Sequence, residues 1–239
     1  MKACKFDCNG LAFVLIFAAI GAGAHLIQLS KIIGAQDSNF TAFDLMAPIP
    51  VAFLGLWSGL AAILIAKFVA VLTLGSPLDF MTILRLLPPL AAGAFFYAYK
   101  QKKGMLGAIS QIAIPLLAIA LFIFHPAIFG TPAMLYSAYW LIPIAVAFLP
   151  SFTYLRSLGA TFCQHAIGSI TFLYTIPALQ NPQVWLALIP IVALERGFFA
   201  LGITVSYKAF VLALNKLGAF VKNPAQNQNL NILANKKGN

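Results

Sequence analysis

The chain has 239 residues, 62% of them hydrophobic and only 8% charged, with 15 basic against 5 acidic side chains. Soluble domains carry roughly 25% charged residues, so this composition excludes an ordinary globular domain and points to an integral membrane protein. A net charge of +10 would suggest nucleic acid in a soluble protein. Here the basic residues fall between apolar runs, where they set membrane orientation, and no nucleic-acid partner is implied.

In chain order, residues 1–10 read as a cytoplasmic N-terminus, 11–222 as a single transmembrane helical domain, and 223–239 as a polar, Asn-rich tail with the composition of a disordered segment. Lys2 and Lys5 precede the first apolar run, and Ala22-Gly23-Ala24 is similar to a signal cleavage site. A retained first helix is the expected reading, with a cleaved signal the alternative. A crossing helix needs about 20 residues, which predicts spans over 11–30, 79–99, 105–124, 135–154, 158–177 and 184–207. The stretch 43–75 is interrupted by Pro48, Pro50, Gly55 and Gly59. It is too long for one comfortable crossing and short for two, and its first half can be re-entrant. Two crossings there place eleven basic residues on one side, as the positive-inside rule requires. The expected fold class is therefore all-α: a polytopic transmembrane bundle of six to eight membrane segments, eight favoured by charge, with both termini cytoplasmic.

Chemistry is expected where charge enters these apolar stretches. Lys67, Arg85, Glu195 and Arg196 do so, and a mid-membrane charge costs at least ~2.5–3.5 kcal/mol, so each marks a cavity, a pathway or an ion pair. With a helix rise of ~1.5 Å per residue, Lys67, Arg85 and Glu195 fall in the outer half of the membrane and can converge on one cavity. Neighbouring helical residues point about 100° apart. Glu195 and Arg196 are therefore not expected to neutralise each other, and Glu195 is expected to pair with Lys67 or Arg85 across a helix interface. Two cations would then remain in search of an anion. Pro88-Pro89 is predicted to kink the helix that carries Arg85. Trp57 and Tyr174 are candidates for stacking on a ligand ring, although Trp57, Trp140 and Trp185 also suit the interfacial belts.

The stretch 159–174 is the most polar of the expected spans, and His165 within it is read as hydrogen-bonded or facing a cavity. Cys163 and His165 lie two apart and diverge on a helix, so no metal site is expected. There is no phosphate-cradling glycine loop, no cofactor is implied, and no catalytic constellation emerges. The chain is not expected to be an enzyme.

The run APIPVAFLGLWSGLAAILIAKF followed by RLLPPLAAGAFFYAYKQKK, with LGATFCQHAIGSITFLY and WLALIPIVALERGFFALG in the second half, resembles the substrate-binding component of energy-coupling-factor vitamin transporters. The resemblance implies capture of a small molecule from outside. It also implies association with a transmembrane coupling subunit and its two ATPases, through small residues spaced by four on the first helix. Ala18 with Ala22, and Ala19 with Gly23, match that spacing. The family's usual six helices differ from the eight that charge favours. The expected function is binding and uptake of a small anionic or zwitterionic nutrient, with Lys67, Arg85, Glu195, Arg196, Trp57, His165 and Tyr174 as the binding residues. The lipid bilayer and the small molecule are the expected partners. A structural subunit of a membrane complex, or an enzyme acting on lipid-linked substrates, are the alternatives.

Overall fold

The computed structural model describes residues 8–31, 39–75, 77–101 and 104–216; most of the N-terminal decapeptide and the whole 223–239 tail lie outside them. The described chain is mostly helical. Ten α-helices can be followed: α1 (Cys8–Ala24), α2 (Pro50–Leu54), α3 (Leu56–Thr73), α4 (Phe80–Leu84), α5 (Leu87–Gln101), α6 (Met105–Ala108), α7 (Ile114–Ile123), α8 (Leu141–Ala147), α9 (Thr153–Thr175) and α10 (Pro182–Lys216). Among the described residues four segments are long and apolar enough to cross a membrane: Leu56–Thr73, Phe80–Tyr99, Met105–Ile123 and Pro182–Asn215.

Side-chain contacts fix the direction of each segment. Along α5 and α9, Arg85 meets Phe172, Phe95 meets Gly159, and Arg156 lies on Phe96, so the two helices are antiparallel. Tyr174 donates to the Leu121 carbonyl and Cys163 to that of Ser110, which makes the segment 105–123 parallel to α9. Thr161 and Ser157 of α9 bond to Arg196 and Thr204 of α10, again antiparallel. One end of the bundle thus gathers the C-terminus of α1, the start of α4 and the start of α10. The opposite end gathers Trp57, Tyr99, Pro150 and Lys208.

The stretch 43–75 resolves into an irregular half and a regular half. A 3-10 turn over Ala42–Leu45 leads into α2, and Gly55 breaks it from α3 at φ +80, a conformation that favours glycine. Phe43 stacks on His25 at 4.1 Å at one end, while Phe53 stacks on Phe17 at 5.8 Å and meets Tyr207 at 5.5 Å near the other. The segment 42–55 therefore runs the depth of the bundle although barely a third of it is α-helical. Gly59 makes this possible, since a Cβ there would lie 2.3 Å from the Val51 Cα.

Three boundaries differ from the sequence expectation. The first helix ends at Ala24, and Gln28–Lys31 instead pairs antiparallel with Asn39–Thr41 as a hairpin. The Pro88-Pro89 pair does more than kink its helix. Pro88 would clash with the Leu84 carbonyl, so α4 stops at Leu84 and α5 restarts at Leu87, leaving Arg85 on the break. The segment expected over 135–154 begins as a 3-10 helix, Pro132–Trp140, and becomes α8.

The core is organised on α9. Its Ala160, Cys163 and Ala166 are fully buried, and it packs on α5, α7, α8 and α10. It carries Ser157, Thr161, Gln164, His165, Ser169 and Thr171, which no lipid-facing helix tolerates so densely. A helix walled in by others needs neighbours, not apolarity.

Candidate functional site

At the end of the bundle where α1 finishes and α10 begins, a cavity of about 610 Å³ opens beneath the hairpin. Its size falls within the ~300–1,000 Å³ range of small-molecule sites. Lys67, Arg85, Glu195, Arg196 and His165 all line it. Trp57 does not: it sits 80% exposed at the start of α3, at the opposite end. Tyr174 also lies outside the lining, with its hydroxyl on the Leu121 carbonyl at 3.0 Å and its ring edge-on to His125. Ala18 is buried inside the bundle and Ala22 half-buried, whereas Ala19 and Gly23 are exposed.

The adjacent charges correct the pairing argument. Arg196 Nη2 meets Glu195 Oε2 at 2.9 Å, the one ion pair among the described residues. The backbone vectors do diverge, but both stems are long enough to fold back toward each other across the helix surface. Arg196 is 1% exposed and is clasped by Phe40 and Phe199 at 4.5 and 4.4 Å, with Nη1 donating to Thr161 Oγ1 at 3.4 Å. Such cation–π contacts contribute about 0.5–2 kcal/mol each, most when water is excluded. Glu195 also accepts a bond from Ser30 of the hairpin at 3.3 Å.

A second carboxylate lines the cavity, and it changes the charge count. Asp44 is buried, accepts from the Thr41 backbone N–H at 2.9 Å and from Gln164 Nε2 at 2.8 Å, and lies within electrostatic range of Lys67. It meets the criterion that singles out Lys67, a charge flanked by apolar residues, but the prolines at 48 and 50 make its stretch read as a boundary. Three cations therefore face two carboxylates, and the excess is one positive charge rather than two. Asp79 is outside this set. It caps α4 by accepting from the Thr82 N–H at 2.8 Å, and this bond holds its carboxyl below the ordinary range.

The deeper wall is aromatic. Tyr136, His165 and Trp185 line the cavity, with Tyr136 Oη 2.8 Å from His165 Nε2 and Trp140 Nε1 donating to His165 Nδ1 at 3.2 Å. That Trp140 bond makes Nδ1 the acceptor, so in the neutral ring Nε2 carries the proton. Cys163 points elsewhere, toward the Ser110 carbonyl at 3.6 Å. Among the described residues no group of three His, Cys, Asp or Glu side chains is placed to hold a metal.

Three buried nitrogens around the cavity lack hydrogen-bond partners: His25 Nε2, Arg85 Nε and Arg196 Nε. Buried polar atoms are nearly always satisfied, and three orphans at one cavity are chemically suited to acceptor atoms of a bound molecule. His25 and Tyr136 are residues the sequence does not single out. His25 looks like a helix-end residue, and Tyr136 like one aromatic among many. No protein-family model, curated protein or solved structure matches the chain.

Proposed function

We propose that this chain is a multi-pass membrane protein that binds a small anionic or zwitterionic molecule in this cavity and serves its uptake. In that role it would act as the substrate-binding component of an energy-coupling-factor transporter does. The observation that carries the reading is the convergence of Lys67, Arg85 and Arg196 on one cavity that holds only two carboxylates. Charges kept in an apolar bundle are costly unless they serve a ligand or each other, and here they only partly serve each other.

The four long apolar helices support a membrane location. The route of the chain supports eight segments, with 42–55 as a broken crossing tolerated because protein covers its backbone. Lys208 and the basic sequence neighbours of Tyr99 support a cytoplasmic side for the end opposite the cavity, and with it an outward-opening cavity. A coupling subunit would meet the exposed Ala19 and Gly23 side of α1 rather than Ala18.

The test is a thermal-shift screen of small metabolites on the purified protein, because a ligand that binds only the folded state raises its apparent stability. Anionic and zwitterionic compounds should dominate the hits. A screen in which cationic compounds dominate, or in which no compound shifts the midpoint, overturns the reading.

A further inference from the structure

The three cations around the cavity are not equivalent, and the difference narrows the ligand class within the binding role proposed above. Arg196 is matched by Glu195 at 2.9 Å and enclosed by two phenyl rings. Lys67 lies over the Phe43 ring at 5.2 Å and shares its surroundings with Asp44. Arg85 is the least matched of the three, because no carboxylate that lines the cavity serves it. Among the described residues no carboxylate lies within ion-pair distance of it, its buried Nε has no hydrogen-bond partner, and it is drawn only to the Phe172 ring at 5.9 Å and, at longer range, to Asp79 outside the cavity. The nearest carboxylate along the chain, Asp79, is exposed and already committed to the Thr82 N–H.

Its position is also unusual. Arg85 sits on the break between α4 and α5 that Pro88 imposes, where the backbone offers no helix face to return to. A guanidinium presents two parallel donors that match a carboxylate. Arg85 is half-buried with its Nε shielded from water, and a shielded donor left without an acceptor costs stability.

We propose that Arg85 is the anchor for the acidic group of an organic monoanion, and that this residue sets the charge class the cavity accepts. One negative charge cancels the single positive excess left by Asp44 and Glu195. The apolar or aromatic body of the ligand would lie against Phe172, beneath the guanidinium, and along Leu188, Ile191 and Val192 of α10, all of which line the cavity. A neutral ligand leaves Arg85 uncompensated, and a dianion reverses the imbalance.

The experiment uses the full chain in detergent at neutral pH, with one ring body in four charge states: 2-naphthoate, 2-naphthamide, naphthalene-2,6-dicarboxylate and 2-(aminomethyl)naphthalene. Thermal unfolding across a concentration series gives an apparent Kd for each. The monocarboxylate should bind at least ~10-fold more tightly than the amide, the gap expected when a charge-assisted bidentate contact is lost, with the dicarboxylate and the amine weaker still. Arg85→Gln should reduce the monocarboxylate to the level of the amide, and Arg85→Lys should restore part of the gap.

A readout without ligand runs alongside. Arg85→Gln should not lower the midpoint of the ligand-free protein, because the shielded Nε that it removes has no acceptor. Equal binding of carboxylate and amide overturns the monoanion class while leaving the binding role standing. A lower ligand-free midpoint for Arg85→Gln makes Arg85 a structural residue and overturns its anchoring role. Silence of all four probes, together with an empty metabolite screen, removes the binding role itself.

Discussion

Removing Glu195 and removing Arg196 are not equivalent perturbations, because the two side chains are 21% and 1% exposed. Glu195→Gln leaves a charged guanidinium enclosed by Phe40 and Phe199 with no counterion. Breaking a fully buried pair costs about 3–5 kcal/mol, and partial access of Glu195 to water reduces this to about 2–3 kcal/mol. Arg196→Met leaves a carboxylate that still reaches the hairpin hydroxyl of Ser30 and the cavity mouth, so its cost should be smaller. The double variant should be more stable than Glu195→Gln alone, and a double-mutant cycle of unfolding free energies reads this coupling. Asp79 gives a pH signature at the same scale. Its carboxyl is held low by the Thr82 N–H, so its contribution is present above the ordinary carboxylate range and disappears as pH falls through the lowered value. The midpoint of Asp79→Ala should lie below wild type at pH 7, and the gap should close on acidification below the ordinary carboxylate range. A gap that stays constant would mean that the cap acts through shape and not through charge.

At the scale of elements, glycines set the helix spacing, and they do so unequally. A Cβ at Gly159 would lie 2.2 Å from the buried Phe95 ring, whereas one at Gly197 meets nothing within 4 Å. Gly159→Ala should force α5 and α9 apart at a cost of about 1–3 kcal/mol. Gly197→Ala, in the middle of α10, should stabilise by up to about 1 kcal/mol through helix propensity; reversible unfolding of both variants checks the pair. Much of the element plan was legible, because hydropathy locates long apolar helices and prolines locate their ends. Lys67, Arg85, Glu195 and Arg196 were legible for the same reason, a charge being conspicuous against an apolar ground. The hairpin and Asp44 were not. The residues after Ala24 look like a ragged helix end, and an acid beside two prolines looks like a loop. The internal pairing of Glu195 with Arg196 escaped because spacing describes where side chains start, not how far flexible stems can bend. Trp57 and Tyr174 stand out in the sequence by aromatic character alone, and residue type does not say which face or which end of a helix a ring occupies.

For the whole molecule the decisive element is 42–55, the least regular of the proposed crossings. Its two ends touch opposite ends of the bundle, through Phe43 on His25 and Phe53 near Tyr207. It is walled by α1, α3, α5 and the Gly202 side of α10, so its non-helical backbone never needs to face lipid. If it crosses, the chain passes eight times and its ends share a side; if it turns back, seven passes put the ends on opposite faces. Cysteines introduced one at a time at exposed positions separate the two on a background with Cys4 and Cys8 replaced by serine and the buried Cys163 retained. A membrane-impermeant maleimide should label Leu26→Cys, Leu78→Cys and Phe129→Cys in intact cells, and Trp57→Cys, Met105→Cys and Phe148→Cys only after permeabilisation. The six side chains replaced are all exposed at turns or helix ends. Trp57→Cys carries the decision, because it follows the broken segment directly. Labelling of that variant from outside would place the start of α3 beside the cavity mouth. The eight-pass topology, and with it the outward-facing cavity between matched cytoplasmic ends, would then have to be abandoned.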